Sequence, residues 1–138
     1  MKKMVYPVIF TQAENIILIE VPDLEILTEA SNITEAIDMA RDAVGLKLIS
    51  LEDDGTEIPY STDILKIDVN KGTFFNEGIS YVSMVDVDII EYRRKVDNKS
   101  VRRNITLPNW LNIEAEKAHI NVSKVAQEAL MEKLSVSK

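Results

Sequence analysis

The chain contains no cysteine and, in 138 residues, a single histidine, His119. The first absence excludes disulfides, thiolate metal sites and a cysteine nucleophile, and it suits a cytoplasmic protein. The second leaves any metal site without a second imidazole, so neither a metal nor another cofactor is expected. No run of about 18 apolar residues occurs, so no membrane-spanning helix is expected. The opening stretch MKKMVYPVIFTQAENIILIEV sets two lysines before apolar residues, but Pro7 and the polar TQAEN break it. No small-residue cleavage site follows, so a signal peptide is not expected either. Internal repeats and low-complexity tracts are missing as well.

What is present is ordinary globular material, 46% hydrophobic and 28% charged, enough for one domain or two small ones. The formal net charge of −7 hides a split. Residues 1–98 carry 9 basic and 19 acidic side chains, whereas residues 99–138 carry 7 and 4. A net of −10 repels nucleic acid and attracts a basic protein; a net of +3 can lie against phosphates. Such an asymmetry points to two different partners.

Val5–Thr11 and Ile16–Val21 are rich in Val and Ile, and the polar QAEN joins them as in a hairpin. Pro7 places the first strand at an edge, or makes it irregular near its start. A weaker extended stretch covers Glu25–Ala30. Ser31, Asn32 and Thr34 are N-cap candidates, and Ile33, Ala36, Ile37, Ala40, Ala43, Val44, Leu48 and Leu51 then recur at helical spacing. EDDG, ending at Gly55, closes that helix. The run ISYVSMVDVDII predicts a central strand, and the basic YRRKVDNKS a helix end and linker. The expected division is therefore 1–95, a linker over 96–100, and 101–138.

From Val101 the pattern alternates. Val101, Arg103, Ile105 and Leu107 fall on one side of an extended ribbon, with Arg102, Asn104 and Thr106 on the other. Pro108 and Asn109 open a first helix carrying Leu111, Ala115 and Ala118. Asn121 and Ser123 can cap a second, whose stripe is Val122, Val125, Ala126, Ala129, Leu130 and Leu134. One short strand and two helices cannot close a core, and a lone strand leaves its backbone unpaired. The simple remedy is a two-fold dimer that pairs two strands antiparallel.

The order RRNITLP, helix, NVS turn, helix over Val101–Leu134 resembles the ribbon-helix-helix DNA-binding domain. That resemblance implies paired strands in the major groove, with Arg102, Asn104 and Thr106 touching base edges. It also implies phosphate contacts at Asn121, Val122, Ser123 and Lys124, where the second helix begins. The dimer core would be Ile105, Leu107, Leu111, Val125, Ala129 and Leu130. His119 is read as a helix-end residue.

YPVIF (Tyr6–Phe10), PDL (Pro22–Leu24), Thr28, TEAIDMARDAV (Thr34–Val44) and MVDVDIIEYRRK (Met84–Lys95) resemble, in that order, the HicB antitoxin family. The resemblance implies an α+β chain: a degraded ribonuclease-H-like domain of antiparallel strands packed on a helix, followed by the ribbon-helix-helix domain. It further implies a non-enzymatic antitoxin that occludes HicA, a basic RNA-cleaving toxin. The same protein would repress its own operon as a dimer and form a heterotetramer with the toxin. An alternative from the residues is a ribbon-helix-helix repressor whose front domain senses a small molecule. A third is an active nuclease, with Asp86 and Asp88 two apart on a strand and Asp23 and Glu35 as further acids for two metal ions.

Overall fold

Lys3–Gln12 forms strand β1, and the N–H of Ala13 donating to the Ile16 carbonyl closes a hairpin onto β2, Ile17–Val21. The computed structural model describes residues 2–97 and 99–136. After a 3-10 turn at Pro22–Leu24, β3 (Ile26–Ala30) pairs with β2. Helix α1 runs over Ile33–Asp53 and β4 over Ile79–Asp88, which returns antiparallel along the whole of β1. The sheet order is β3-β2-β1-β4, antiparallel throughout. Helix α2 (Ile89–Val96) follows β4, and α3 (Asn109–Lys117) and α4 (Val122–Lys133) lie further on. The chain divides into two compact units, one over Lys2–Arg93 and one starting at Arg94.

Helix α1 starts where the cap chemistry predicts. The Asn32 side chain accepts from the Glu35 amide at 2.9 Å. It ends in the EDDG stretch, where Gly55 takes φ 69°, a left-handed conformation that glycine reaches without a Cβ clash. Of the predicted stripe, Ala36, Ala40, Val44 and Leu48 are fully buried against Tyr6, Val8, Phe10, Ile19 and Val21 of the sheet. Each Val, Leu or Ile so buried is worth roughly 1.5–3 kcal/mol over its exposed state. Ile33 and Ile37 keep 42% and 38% of their surface exposed.

The opposite sheet face is covered by the segment between α1 and β4, which carries 3-10 turns at Ile64–Lys66, Val69–Lys71 and Phe75–Glu77. Its anchors are polar. Glu20 accepts from the amide and hydroxyl of Thr73 at 2.9 and 2.8 Å, and Asp23 accepts from the Thr62 amide at 2.8 Å. Tyr6 donates its hydroxyl to the Pro59 carbonyl at 2.7 Å; burial first, and Asp23 second, push its pKa upward.

Two strand expectations need correcting. β1 is an inner strand, yet Pro7 is accommodated. The Ala13–Ile16 bond turns odd-numbered residues of β1 toward β2, but that ladder begins only at Ile9. Pro7 sits just beyond it, where a missing N–H breaks no sheet bond. β4, predicted to be central, is an edge strand. Its burial changes phase along its length: Val85 and Val87 are buried under α1, whereas Ile79, Tyr81 and Met84 are 77%, 42% and 41% exposed. The apolar run therefore signals partial cover on two faces rather than a strand flanked on both sides.

Candidate functional site

The sheet unit brings its acids to structural partners rather than to one another. Asp86 accepts from Arg41 Nη2 at 3.2 Å and faces Lys3 Nζ at 3.4 Å, and the arginine, then the lysine, hold its carboxyl below the usual range. Asp88 accepts from the Glu91 amide at 3.1 Å at the start of α2. Asp23 is bound to Thr62, and Glu35 stands exposed in the first turn of α1. Among the described residues no three His, Cys, Asp or Glu side chains gather into a metal-holding group. The nuclease arrangement considered for Asp23, Glu35, Asp86 and Asp88 is thus not assembled.

At the other end of α1, Arg93 donates to Asp53 Oδ1 at 2.9 Å and to Glu52 Oε1 at 3.1 Å, and Lys2 donates to Glu52 Oε2 at 3.0 Å. Two carboxylates at a helix C-terminus oppose the helix dipole, and these cations offset them. Hydrogen bonding to Lys2 leads the downward shift of the Glu52 pKa, and Asp53 that of the upward shift at Arg93. Between the two clusters, Tyr92 donates to Asp42 Oδ1 at 2.6 Å and lays its ring on Gly45. Burial, then that hydrogen bond, raises the Tyr92 pKa. None of these pairings was legible from spacing, since the partners lie about 40–50 residues apart.

A cleft of 220 Å³ opens between Ile9, Glu20, Pro22 and the Lys66–Gly72 turn. Glu20 is already committed to Thr73, so the polar groups of this cleft stitch the loop to the sheet.

In the C-terminal unit, residues 101–107 carry no regular secondary structure. Arg102, Asn104 and Thr106 are exposed there, as are Arg103 and Ile105, while Leu107 is half-buried. A strand needs a partner for its N–H and C=O groups, and no described residue supplies one through its backbone over that stretch. The two helices form close to the predicted places. Pro108 stands at the N-cap position of α3 without a side-chain hydrogen bond, and Asn121 caps α4 by accepting from the Lys124 amide at 3.0 Å. That cap uses the amide of Lys124, not those of Val122 and Ser123. His119 lies at the α3–α4 turn with φ 55°, the left-handed position that commonly ends a helix.

No described residue beyond Tyr92 is buried in the core sense. Leu111, Val125 and Leu130 are 39%, 52% and 61% exposed, and Ala129 is exposed too. Val125 and Ala129 border an open groove along α4 with Met131 and Val136. Apolar residues on one side of a helix pair with nothing beneath them form a face that awaits cover.

The family described as "HicB_like antitoxin of bacterial toxin-antitoxin system" matches residues 6–133. No curated protein matches the chain. A chain of the toxin–antitoxin complex from Streptococcus pneumoniae is similar in fold, with TM-score 0.60 and 22% identity over 95% of this chain and 99% of that one. The Burkholderia pseudomallei antitoxin HicB superposes with TM-score 0.50 and 18% identity over 98% and 99%. A chain of the HicA3 and HicB3 toxin-antitoxin complex gives 0.51 and 17% over 62% of this chain and 99% of its own. Among the described residues no helix is long and apolar enough to cross a membrane. The mixed α/β architecture, the four-stranded antiparallel sheet and the family match across both units together mean that this chain belongs to the HicB-like antitoxins of bacterial toxin–antitoxin systems.

Proposed function

We propose that the sheet unit, a ribonuclease-H-like scaffold without an assembled active site, binds and occludes a HicA-like mRNA-cleaving toxin. The C-terminal unit then acts as a ribbon-helix-helix dimer that binds operator DNA and represses the operon. The observation that carries this reading is the contrast between the units. One is acidic and has a complete core; the other is basic, and none of its described residues is fully buried. A nuclease must present positive charge to RNA, and the acidic part of the chain, net −10 over residues 1–98, complements it. A coreless strand–helix–helix segment with Ile105, Leu111, Val125 and Leu130 exposed gains its core from a second copy.

In that dimer Ile105, Leu107, Leu111, Val125, Ala129 and Leu130 form the shared interior, and the two 101–107 segments pair as strands. Arg102, Asn104 and Thr106 then face base edges: Arg can bind guanine bidentately, Asn can bind adenine, and Thr can meet either a polar edge or a thymine methyl. Asn121, Val122, Ser123 and Lys124 lie at the start of α4, where amides and the helix dipole favour a phosphate. Two antitoxin chains with two toxins make a heterotetramer, and all of this takes place in the cytoplasm. Sheet unit, linker and DNA-binding unit are assigned to 1–95, 96–100 and 101–138.

The test is co-expression with the protein encoded by the adjacent reading frame, followed by affinity capture and growth rescue. Growth arrest by the neighbour, relieved by this chain and accompanied by a stable complex, is expected. A neighbour that arrests growth regardless, with no complex formed, refutes the antitoxin role.

A further inference from the structure

The strand β4 leaves part of its outer edge open, and the reason it is only part of the edge is visible in the hydrogen bonding. Arg41 reaches over the edge and donates its Nε–H to the backbone carbonyl of Asp86 at 2.9 Å. That carbonyl therefore points away from β1. Because the β1–β4 register is continuous from Ile79 to Asp88, every even-numbered residue of β4 presents its N–H and C=O outward. The bond from the Ile89 amide to the Lys2 carbonyl agrees, since it places an odd-numbered residue in the ladder with β1. Arg41 thus occupies the edge at Asp86, while Ser80, Val82 and Met84 form three consecutive outward rungs to which no other described residue is hydrogen-bonded through the backbone.

Beside those rungs, Ser80 and Ser83 apart, the side chains are apolar. Helix α1 runs alongside β4 in the same direction, since Arg41 meets Asp86 and Asp42 and Gly45 meet Tyr92 further on. At 1.5 Å of rise per residue, Ile37 and Ile33 lie about 6 and 12 Å back along the helix row of Arg41. On a strand rising about 3.3 Å per residue, that is level with Met84 and Val82. Ile33, Ile37 and Tyr81 keep 42%, 38% and 42% of their surface exposed there. Unprotected edges in natural sheets are usually blocked by proline, lysine or a covering element, and Ser80–Met84 has no proline or lysine.

We propose that Ser80–Met84 is the docking edge for the toxin, which adds an extended segment as a fifth strand and seats apolar side chains between Ile33, Ile37 and Tyr81. This inference rests on the antitoxin reading above and names the surface through which it operates. Charge selects the occupant. Beside the cleft the helix carries Glu35 and Asp38, the latter 75% exposed and 3.8 Å from Arg41, and Arg41 is shared between Asp38 and Asp86, so the rim keeps an excess of negative charge. A basic chain is attracted to such a rim, whereas a second copy of this unit is repelled by it, since residues 1–98 are at net −10. Main-chain bonds at the three rungs supply affinity, and the apolar cleft supplies specificity.

Three proteins test the proposal against the toxin encoded by the adjacent frame: Val82→Pro, the pair Ile33→Glu with Ile37→Glu, and the control Leu27→Glu on the opposite edge. Val82→Pro removes an outward N–H and no ladder bond to β1, and circular dichroism checks that its fold is kept. The helix pair changes exposed positions and keeps the assay decisive should the proline variant unfold. Toxin affinity is expected to fall at least tenfold in the first two and to be unchanged in the control. Amide exchange at Ser80, Val82 and Met84 should slow in the wild-type complex. Equal toxin binding by all variants overturns the proposal. So does protection of those amides that grows with protein concentration in the absence of toxin, because a second copy then holds the edge. Wild-type protein that binds no toxin at all refutes the antitoxin reading itself and is distinguished by that result.

Discussion

Replacing Gly45 by alanine separates two opposing effects. In an exposed helix interior, Gly→Ala stabilises by about 1 kcal/mol, because alanine loses less backbone freedom on folding. At Gly45 the added Cβ would lie 2.8 Å from Cγ and Cδ1 and 2.9 Å from Cδ2 of Tyr92. Those are ring atoms of a side chain only 8% exposed, and its hydroxyl is tied to Asp42 at 2.6 Å. The ring must therefore move. Overpacking of this kind costs roughly 1–3 kcal/mol. Breaking a hydrogen bond to a charged acceptor adds about 1.5–3 kcal/mol. Against the helix gain, the net expectation is a loss of about 2–4 kcal/mol, read from urea unfolding followed by circular dichroism. The same substitution made in a Tyr92→Ala background should be neutral or stabilising by up to about 1 kcal/mol, because no ring opposes it. Stabilisation by Gly45→Ala in the wild-type background would refute the steric argument.

Further expectations follow from the ion pairs, the turn and the ribbon. The folded pKa values of Asp86 and Glu52 are depressed, so their contribution to stability is present above the ordinary carboxylate range of about 4. It is lost as pH falls through the folded values, and thermal unfolding between pH 6 and 3 should show a decline that is smaller in Arg41→Gln. Both acids are well exposed, so the effect is modest and weakens with salt. His119→Gly relieves a left-handed residue and should raise C-terminal stability by up to about 1 kcal/mol in a melting experiment. Asn104→Ala should weaken specific operator binding by roughly 1–3 kcal/mol in a gel-shift titration at fixed salt, and unchanged specificity would remove Asn104 from the base-reading set.

The sequence was most informative where a local rule acts alone. The Asn32 cap, the Gly55 stop and the Ala36–Leu48 stripe follow from neighbouring residues, and all appear in the structure. The position of β4 was not legible, since ISYVSMVDVD is apolar on both faces without being flanked on both sides. Pro7 misled for a related reason: its tolerance depends on where the β2 ladder stops, which is set by the hairpin register rather than by the strand itself. Arg41, Tyr92 and Arg93 escaped notice because each acts on a partner distant in the chain. In the C-terminal unit the alternation of residues 101–107 remains a sequence signal alone. A ribbon strand is a property of two chains, and the single chain leaves Ile105 57% exposed.

The most direct test of the antitoxin role is an RNA-cleavage assay on the toxin encoded by the adjacent reading frame, with purified full-length protein titrated in. Cleavage should stop once the two proteins reach stoichiometric amounts, and it should return when the Ile33→Glu, Ile37→Glu variant replaces the wild type. Undiminished cleavage at a large excess of wild-type protein would contradict neutralisation by occlusion.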